Sequence, residues 1–247
     1  MKFAEMTAPA ISRIDKSSVV VIAPIAAIEQ HSRHLPVVTD TVLVTAVAEG
    51  VEKNLPQNVL LLPTQWLGAS EHHLPFGGTL TATLPTYELM LMEILRPLLH
   101  FGFGRVMLLN GHGGNIDPLQ VALRRLDREF PGAILTGAAY WDLAAKELAA
   151  LCTGPRKAMG HACELETSMM MHLRPELVRA DEITDDPDLT PESVKSIFWA
   201  RDFGRRTDHG AVGYPSEATA EKGRLMVEAA VSAVTRVTRG LLEIPIG

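Results

Sequence analysis

Short apolar runs of strand length alternate along this chain with longer stretches of helical period, and this alternation constrains the fold more than any other feature. The runs are Val19–Pro24, Val59–Pro63, Arg105–Leu109 and Ile134–Ala139. After Asp40, the residues Val42, Thr45, Ala46 and Val51 keep helical spacing, and Tyr87 to His100 carries Leu89, Met92, Leu95 and Leu99 with the same period. Further helices are predicted from about Asp117 to Phe130, stopped by Pro131-Gly132, and from Glu164 to Leu173, stopped before Pro175. A last one runs from about Ala218 to Arg239, with Gly240 placed to end it. Strands separated by helices read as βαβ units, so the expected class is α/β with a mainly parallel sheet covered by helices.

One compact domain spanning residues 1–247 is expected, because the chain has no repeat, no low-complexity tract and no Gly/Ser linker. The acidic, proline-punctuated segment Asp181–Pro191 reads as a surface loop. Lys and Arg total 23 against 29 Asp and Glu, a formal net charge of −6, and no basic run exceeds Arg205-Arg206, which argues against a nucleic-acid partner. Val19–Ile28, the longest apolar stretch, is about half the length of a membrane span and contains Pro24, so no membrane crossing is expected. The N-terminus lacks the pattern of a secretory signal, and Cys152 and Cys163 have no Cys-x-x-Cys spacing. A cytoplasmic address, with both cysteines as small buried hydrophobes, is the expectation.

Three polar clusters follow apolar runs, where parallel sheets collect functional groups. In the first, Glu29-Gln30-His31-Ser32-Arg33-His34 leads to Asp40, and Glu29 and His31, two apart, project to the same side of an extended backbone. A carboxylate beside an imidazole suits a divalent transition metal; a polar loop without ligand role is the plain alternative. The second, Asn110-Gly111-His112-Gly113-Gly114-Asn115, sits where a strand gives way to a helix, and its glycines allow a tight turn that presents His112. It lacks the Gly-x-Gly-x-x-Gly order and the Lys-Ser/Thr pair of a nucleotide loop. The third holds His161, Glu164 and Glu166. If the helix includes His161, spacing favours Glu164 beside it, since Glu166 lies roughly 140° further round; acids in a first helical turn also serve the helix dipole. Asp40 matters because a carboxylate can bridge two cations about 3.5–4 Å apart.

The three clusters, in this order, resemble the creatininase family of metal-dependent amidohydrolases: Glu29-Gln30-His31 through Thr39-Asp40, then Asn110 to Asn115, then His161-Ala162-Cys163-Glu164-Leu165-Glu166-Thr167-Ser168. The resemblance extends from about Val19 to the last helix, where Ala218 to Gly223 matches a family helix start. It implies a three-layer α/β/α sandwich, two divalent ions drawn from zinc, manganese or iron, hydrolysis of a non-peptide C–N bond, and a homo-oligomer, often a hexamer. It places Glu29 and His112 on one ion and His31 on the other, with Asp40 bridging. Creatininase carries a glutamate where this chain has Gly114, so Glu166, or Glu164 by helical spacing, takes its place. His161 matches the proton-moving histidine of the family. Trp141, in Tyr140-Trp141-Asp142, and His72 and His73, in a matching loop, are the expected substrate-facing residues.

Departures from the family pattern concern the substrate. The loop before His161 reads Arg156-Lys157-Ala158-Met159-Gly160, without the tryptophan and acid of creatininase, so creatinine itself is not the expected substrate. Ser32-Arg33 replaces a Gly-Pro or Gly-His pair, and Arg33 either meets an anionic group on the substrate or pairs with a surface acid. A small cyclic amide or lactam is the leading substrate class. Relatives with a plain Gly-His-Gly-Gly motif include a formamide deformylase and a small-peptide-cleaving protein, which form the alternative, and a catalytically silent metal-binding scaffold is the alternative of another class.

Overall fold

The computed structural model describes residues 1–247. In chain order its main elements are α1 (Ala8–Ser12), β1 (Val20–Ile25), α2 (Thr39–Asn54), β2 (Val59–Leu61), α3 (Leu84–His100), β3 (Arg105–Asn110), α4 (Ile116–Glu129), β4 (Ile134–Ala139), the short α5 (Tyr140–Leu143) and α6 (Ala145–Leu151), α7 (Glu164–Leu173) and α8 (Ala220–Glu243). The four strands form one wholly parallel sheet in the order β2-β1-β3-β4. Alternate residues of each strand feed two separate cores. Val20 and Ile22 of β1 and Met107 and Leu109 of β3 pack with Val44 and Val47 of α2, Met169 of α7 and Val234 of α8. Val21, Ala23, Val106 and Leu108 pack on the other side with Leu91 and Leu95 of α3 and Leu119 and Leu126 of α4. Each fully buried aliphatic side chain contributes roughly 1.5–3 kcal/mol, so the doubly covered sheet is the main source of stability. The result is the three-layer α/β/α sandwich.

Pro24 occupies a central strand, where a missing N–H ordinarily costs a ladder bond. Its carbonyl accepts from the Gln65 amide at 2.9 Å, and in a parallel strand a residue's N and O face the same neighbour. Pro24 therefore turns its N toward the segment from Leu62 to Gln65 that continues from β2, and away from the β3 ladder.

Three sequence expectations need correction. The last helix does not stop at Gly240 but runs to Glu243, because Leu241 is buried in the core and its burial outweighs the glycine's local cost. α3 begins three residues before Tyr87, at Leu84, with Pro85 in its first turn, where a proline loses nothing. Asp181–Pro191 is not all surface loop: Asp186 is buried, pairs with Gly213 through a backbone bridge, and accepts the His209 amide at 2.7 Å. Cys152 and Cys163 are both buried and unpaired. No helix is long and apolar enough to cross a membrane.

The strand order reverses direction between β1 and β3, since the chain passes from β1 to β2 on one side and returns to β3 on the other. Such a switch point opens a crevice beyond the carboxyl ends of the strands, and all three polar clusters converge there.

Candidate metal centre

Glu29 and His31 follow β1, Asp40 lies in the first turn of α2, His112 follows β3, and Glu166 lies in the first turn of α7. All five are buried. Asp40 stands in the middle, and its two oxygens face different ways. Oδ1 is 3.1 Å from His31 Nε2, which is 3.8 Å from Glu166 Oε1. Oδ2 is 3.2 Å from His112 Nδ1, which is 3.2 Å from Glu29 Oε2. Glu29, Asp40 and His112 thus form one group of candidate ligand atoms lying within 4.8 Å of one another, and His31, Asp40 and Glu166 form a second.

Three of the candidate ligand side chains are held by their remote atoms. His31 Nδ1 is 3.1 Å from the Glu29 carbonyl, which only accepts, so Nδ1 carries the hydrogen and Nε2 is left for the centre. His112 is turned the opposite way: its Nε2 faces the Ala69 carbonyl at 3.2 Å and Ser70 Oγ at 3.1 Å, which leaves Nδ1 for the centre. Glu166 Oε2 accepts the Cys163 amide at 3.3 Å, the reciprocal bond of a helix N-terminus, and Oε1 remains free. Asn110 clamps the His112 backbone from both sides, its Oδ1 accepting the amide at 3.0 Å and its Nδ2 donating to the carbonyl at 2.7 Å.

The donor set fits divalent cations. Glu29 Oε2, His31 Nε2 and Asp40 Oδ2 are buried without a well-formed hydrogen bond, each within the two groups of candidate ligand atoms. Buried polar atoms are rarely left so, and a bound ion is one of the groups that completes them. The charges agree. Burial raises the Glu29 carboxyl above its ordinary value. Burial also works against ionised Asp40, yet His31 and His112 on either side hold its carboxyl below the usual range. Burial works against protonated His112 as well, yet Glu29 and Asp40 push it up to about 10, and Asp40 and Glu166 likewise raise His31 against the effect of its burial. Protons on the two imidazoles compensate the buried carboxylates, and a cation bound among these groups would displace them.

Glu164, the choice favoured by helical spacing, is directed elsewhere. α7 begins only at Glu164, so His161 is not on the helix and the spacing argument lapses. Glu164 instead meets Lys222 Nζ at 2.8 Å and accepts the amides of Thr153 at 2.8 Å and Gly154 at 2.9 Å. Although burial works upward, Lys222 and these amides hold its carboxyl below the ordinary value; its contribution to stability is present above pH ~4.5 and fades as the pH falls through the lowered pKa. Glu166→Gln is therefore expected to reduce bound metal, while Glu164→Gln leaves metal content unchanged and lowers the melting temperature at neutral pH. Elemental analysis and thermal melts of the two variants check this, and metal loss confined to Glu164→Gln would reverse the assignment.

His161 lies in a loop paired with Val212, and its Nδ1 is 3.6 Å from Glu29 Oε1. Burial and nearby His31 hold its imidazole well below the ordinary histidine value. His73 Nε2 stands 3.3 Å from the same Glu29 oxygen, and His72 stacks over His112 with ring centroids 5.8 Å apart. Trp141 is half-buried, packs against the core shared by α2, α7 and α8, and meets Tyr140 edge-on. Arg33 is exposed and lies 3.4 Å from His209. Gly114 leaves no room for a side chain: a Cβ there would stand 2.2 Å from the Ala69 carbonyl and 2.7 Å from the His72 ring.

Sequence reasoning missed several contributors. Phe203, buried in the loop between α7 and α8, covers His73 at 4.1 Å and His161 at 4.8 Å between ring centroids. Ser70 supports His112, and Asn115 ties the Ala69 amide to the Ala26 carbonyl at 3.0 Å each. The asparagines flanking Gly-His-Gly-Gly, and Ser70 at the start of the loop that carries His72 and His73, adjoin segments already singled out, whereas Phe203 does not.

A family model described as creatininase, creatinine amidohydrolase, matches residues 4–238. The chain is 30% identical to a mycofactocin precursor peptide peptidase of Mycobacterium tuberculosis, over 95% of this chain and 91% of that one. It is 28% identical to the creatinine amidohydrolase of Pseudomonas putida, over 92% of each. Among solved structures, a manganese creatininase matches with a TM-score of 0.82 at 25% identity, covering 98% of this chain and 99% of that one. A mutant creatininase of Zn-Zn type matches with a TM-score of 0.81 at 25% identity and 98% coverage of both.

Proposed function

The chain belongs to the creatininase family of C–N hydrolases, and we propose that it is a dinuclear metal-dependent amidohydrolase acting on a small cyclic amide or lactam. The two-sided position of Asp40 carries this reading, since one carboxylate facing two separate ligand groups is what a bridged pair of ions requires. Glu29, Asp40 and His112 would hold one ion, and His31, Asp40 and Glu166 the other. The zinc and manganese creatininase structures support either metal, and mixed carboxylate–imidazole sites also accept iron.

Two bound divalent ions would supply Lewis-acid polarisation of the amide carbonyl and a water acidic enough to ionise near neutral pH. The chain's own groups do the rest. Asp40, pinned by His31 and His112, fixes the spacing of the two ligand groups. His161 carries its open Nδ1 to the edge of the centre, where it can accept a proton and pass it to the leaving nitrogen. Phe203, lying over His73 and His161, keeps bulk water from that proton. His72 and His73 line the approach, and Arg33 at the surface is available to an anionic substituent.

A second reading, cleavage of a small peptide or a formamide, draws on Gly114 and on the peptidase relative. Position 114 cannot take the glutamate found in creatininase, because the Ala69 backbone and His72 fill the space. A homo-oligomer is part of the proposal under either reading.

Elemental analysis of the purified, unchelated protein is the test, followed by assay against lactams and other cyclic amides, N-formyl compounds and short peptides. About two ions per chain with turnover of a ring amide is the expected result. Metal near zero, unchanged after soaking in zinc or manganese, would overturn the proposal and leave the silent-scaffold reading.

A further inference from the structure

Gln30, between the ligands Glu29 and His31, is buried, and its amide is fully committed. Its orientation is settled by two backbone groups that cannot exchange roles. Oε1 accepts the Ser32 amide at 2.9 Å, and Nε2 donates to the Gly210 carbonyl at 3.0 Å. The close approach depends on glycine: residue 210 has φ +83°, and a Cβ there would stand 2.3 Å from Gln30 Oε1.

A primary amide nitrogen has two hydrogens, and one is spent on Gly210. Two imidazole nitrogens lie within reach of the other, His73 Nδ1 at 2.8 Å and His161 Nε2 at 3.1 Å. His161 Nε2 also lies 2.7 Å from the Gln30 backbone carbonyl, which only accepts, so that nitrogen must itself carry a hydrogen. The second amide hydrogen therefore goes to His73 Nδ1, which must be the unprotonated nitrogen. The hydrogen of neutral His73 is then on Nε2, aimed at Glu29 Oε1 3.3 Å away.

We infer that Gln30 is a positioning residue that fixes His73 as the Nε2–H form through its side chain and His161 as the Nε2–H form through its backbone carbonyl. His73 thereby steadies Glu29 with a donated hydrogen bond, and His161 presents an open Nδ1. With the side chain removed, the His73 hydrogen is free to move to Nδ1, and the lone pair then left on Nε2 repels Glu29. His161 keeps its form, because the backbone carbonyl is unchanged. The consequence for turnover rests on the proposed hydrolytic reading; the assignment of the hydrogens does not.

The experiment is long-range 1H–15N NMR of the zinc-supplied protein, with His73 and His161 assigned by difference against His73→Gln and His161→Gln. Both imidazoles are expected as Nε2–H in the parent. Gln30→Leu should shift His73 toward Nδ1–H, leave His161 as it was, and cut turnover by about 10–100-fold, as loss of a ligand's supporting partner does. Gln30→Glu, nearly the same shape but accepting only, covers the case in which Gln30→Leu does not fold, and should draw the hydrogen onto His73 Nδ1. A parent His73 protonated on Nδ1, an unchanged His73 in both variants, or His73 and His161 shifting together would each overturn the inference. If no substrate is ever turned over, the spectra still decide it.

Discussion

Asp40→Asn is expected to abolish bridging and with it most of the metal and most of the activity. Asparagine keeps the shape of the side chain but replaces one oxygen with an NH2 group that can only donate. Whichever way it turns, either the His31/Glu166 side or the His112/Glu29 side meets hydrogens where it needs a lone pair. Loss of a supporting partner alone costs about 10–100-fold in affinity or activity, so loss of a shared ligand should exceed a hundredfold. Metal per chain should fall below that of the parent in the same purification. Stability gives an independent readout: metal at a hundred times its Kd stabilises a folded protein by about 2.7 kcal/mol. Chelated parent should therefore regain several degrees of Tm when zinc is restored, while chelated Asp40→Asn gains little. Normal metal content and rate in the variant would sink the dinuclear mechanism.

The candidate ligands Glu29, His31 and His112 were legible because each directly follows an apolar run, and runs of that kind become the buried strands of a parallel sheet. Glu29 and His31 follow β1, His112 follows β3, and their meeting at the switch point follows from strand order rather than from any long-range guess. The choice between Glu164 and Glu166 was not legible from periodicity, because it turns on where α7 starts. Ala162, with φ +46°, and extended Cys163 keep His161 off the helix, and the first turn then directs Glu166 inward and Glu164 toward Lys222. Gly240 misled for the opposite reason: a local stop signal was overridden by the burial of Leu241. The Phe203–His73 and Gln30–Gly210 contacts left no trace in local sequence, since each joins segments more than a hundred residues apart.

His161→Ala separates proton transfer from metal binding, and the expected result is retained metal with a rate lowered by about 10²–10⁴-fold, the usual contribution of a general acid–base. Geometry makes the test necessary, because Glu29, His31 and His161 also form a third group of candidate ligand atoms within 4.8 Å of one another. Two features favour the acid–base role. Asp40 already serves both ligand groups without His161, and the Glu29 oxygen nearest to His161 is Oε1, which also faces His73, whereas Oε2 faces His112. His161 is also kept neutral by burial and by His31, with its Nε2 hydrogen directed at the Gln30 carbonyl, so Nδ1 is the one site at which it can take up a proton. Added imidazole should restore part of the lost rate in the alanine variant, because the deleted ring leaves space beside Phe203 and His73. Should the metal be lost along with the rate, His161 is a ligand, and the proton-moving role falls to His73, the other imidazole beside Glu29.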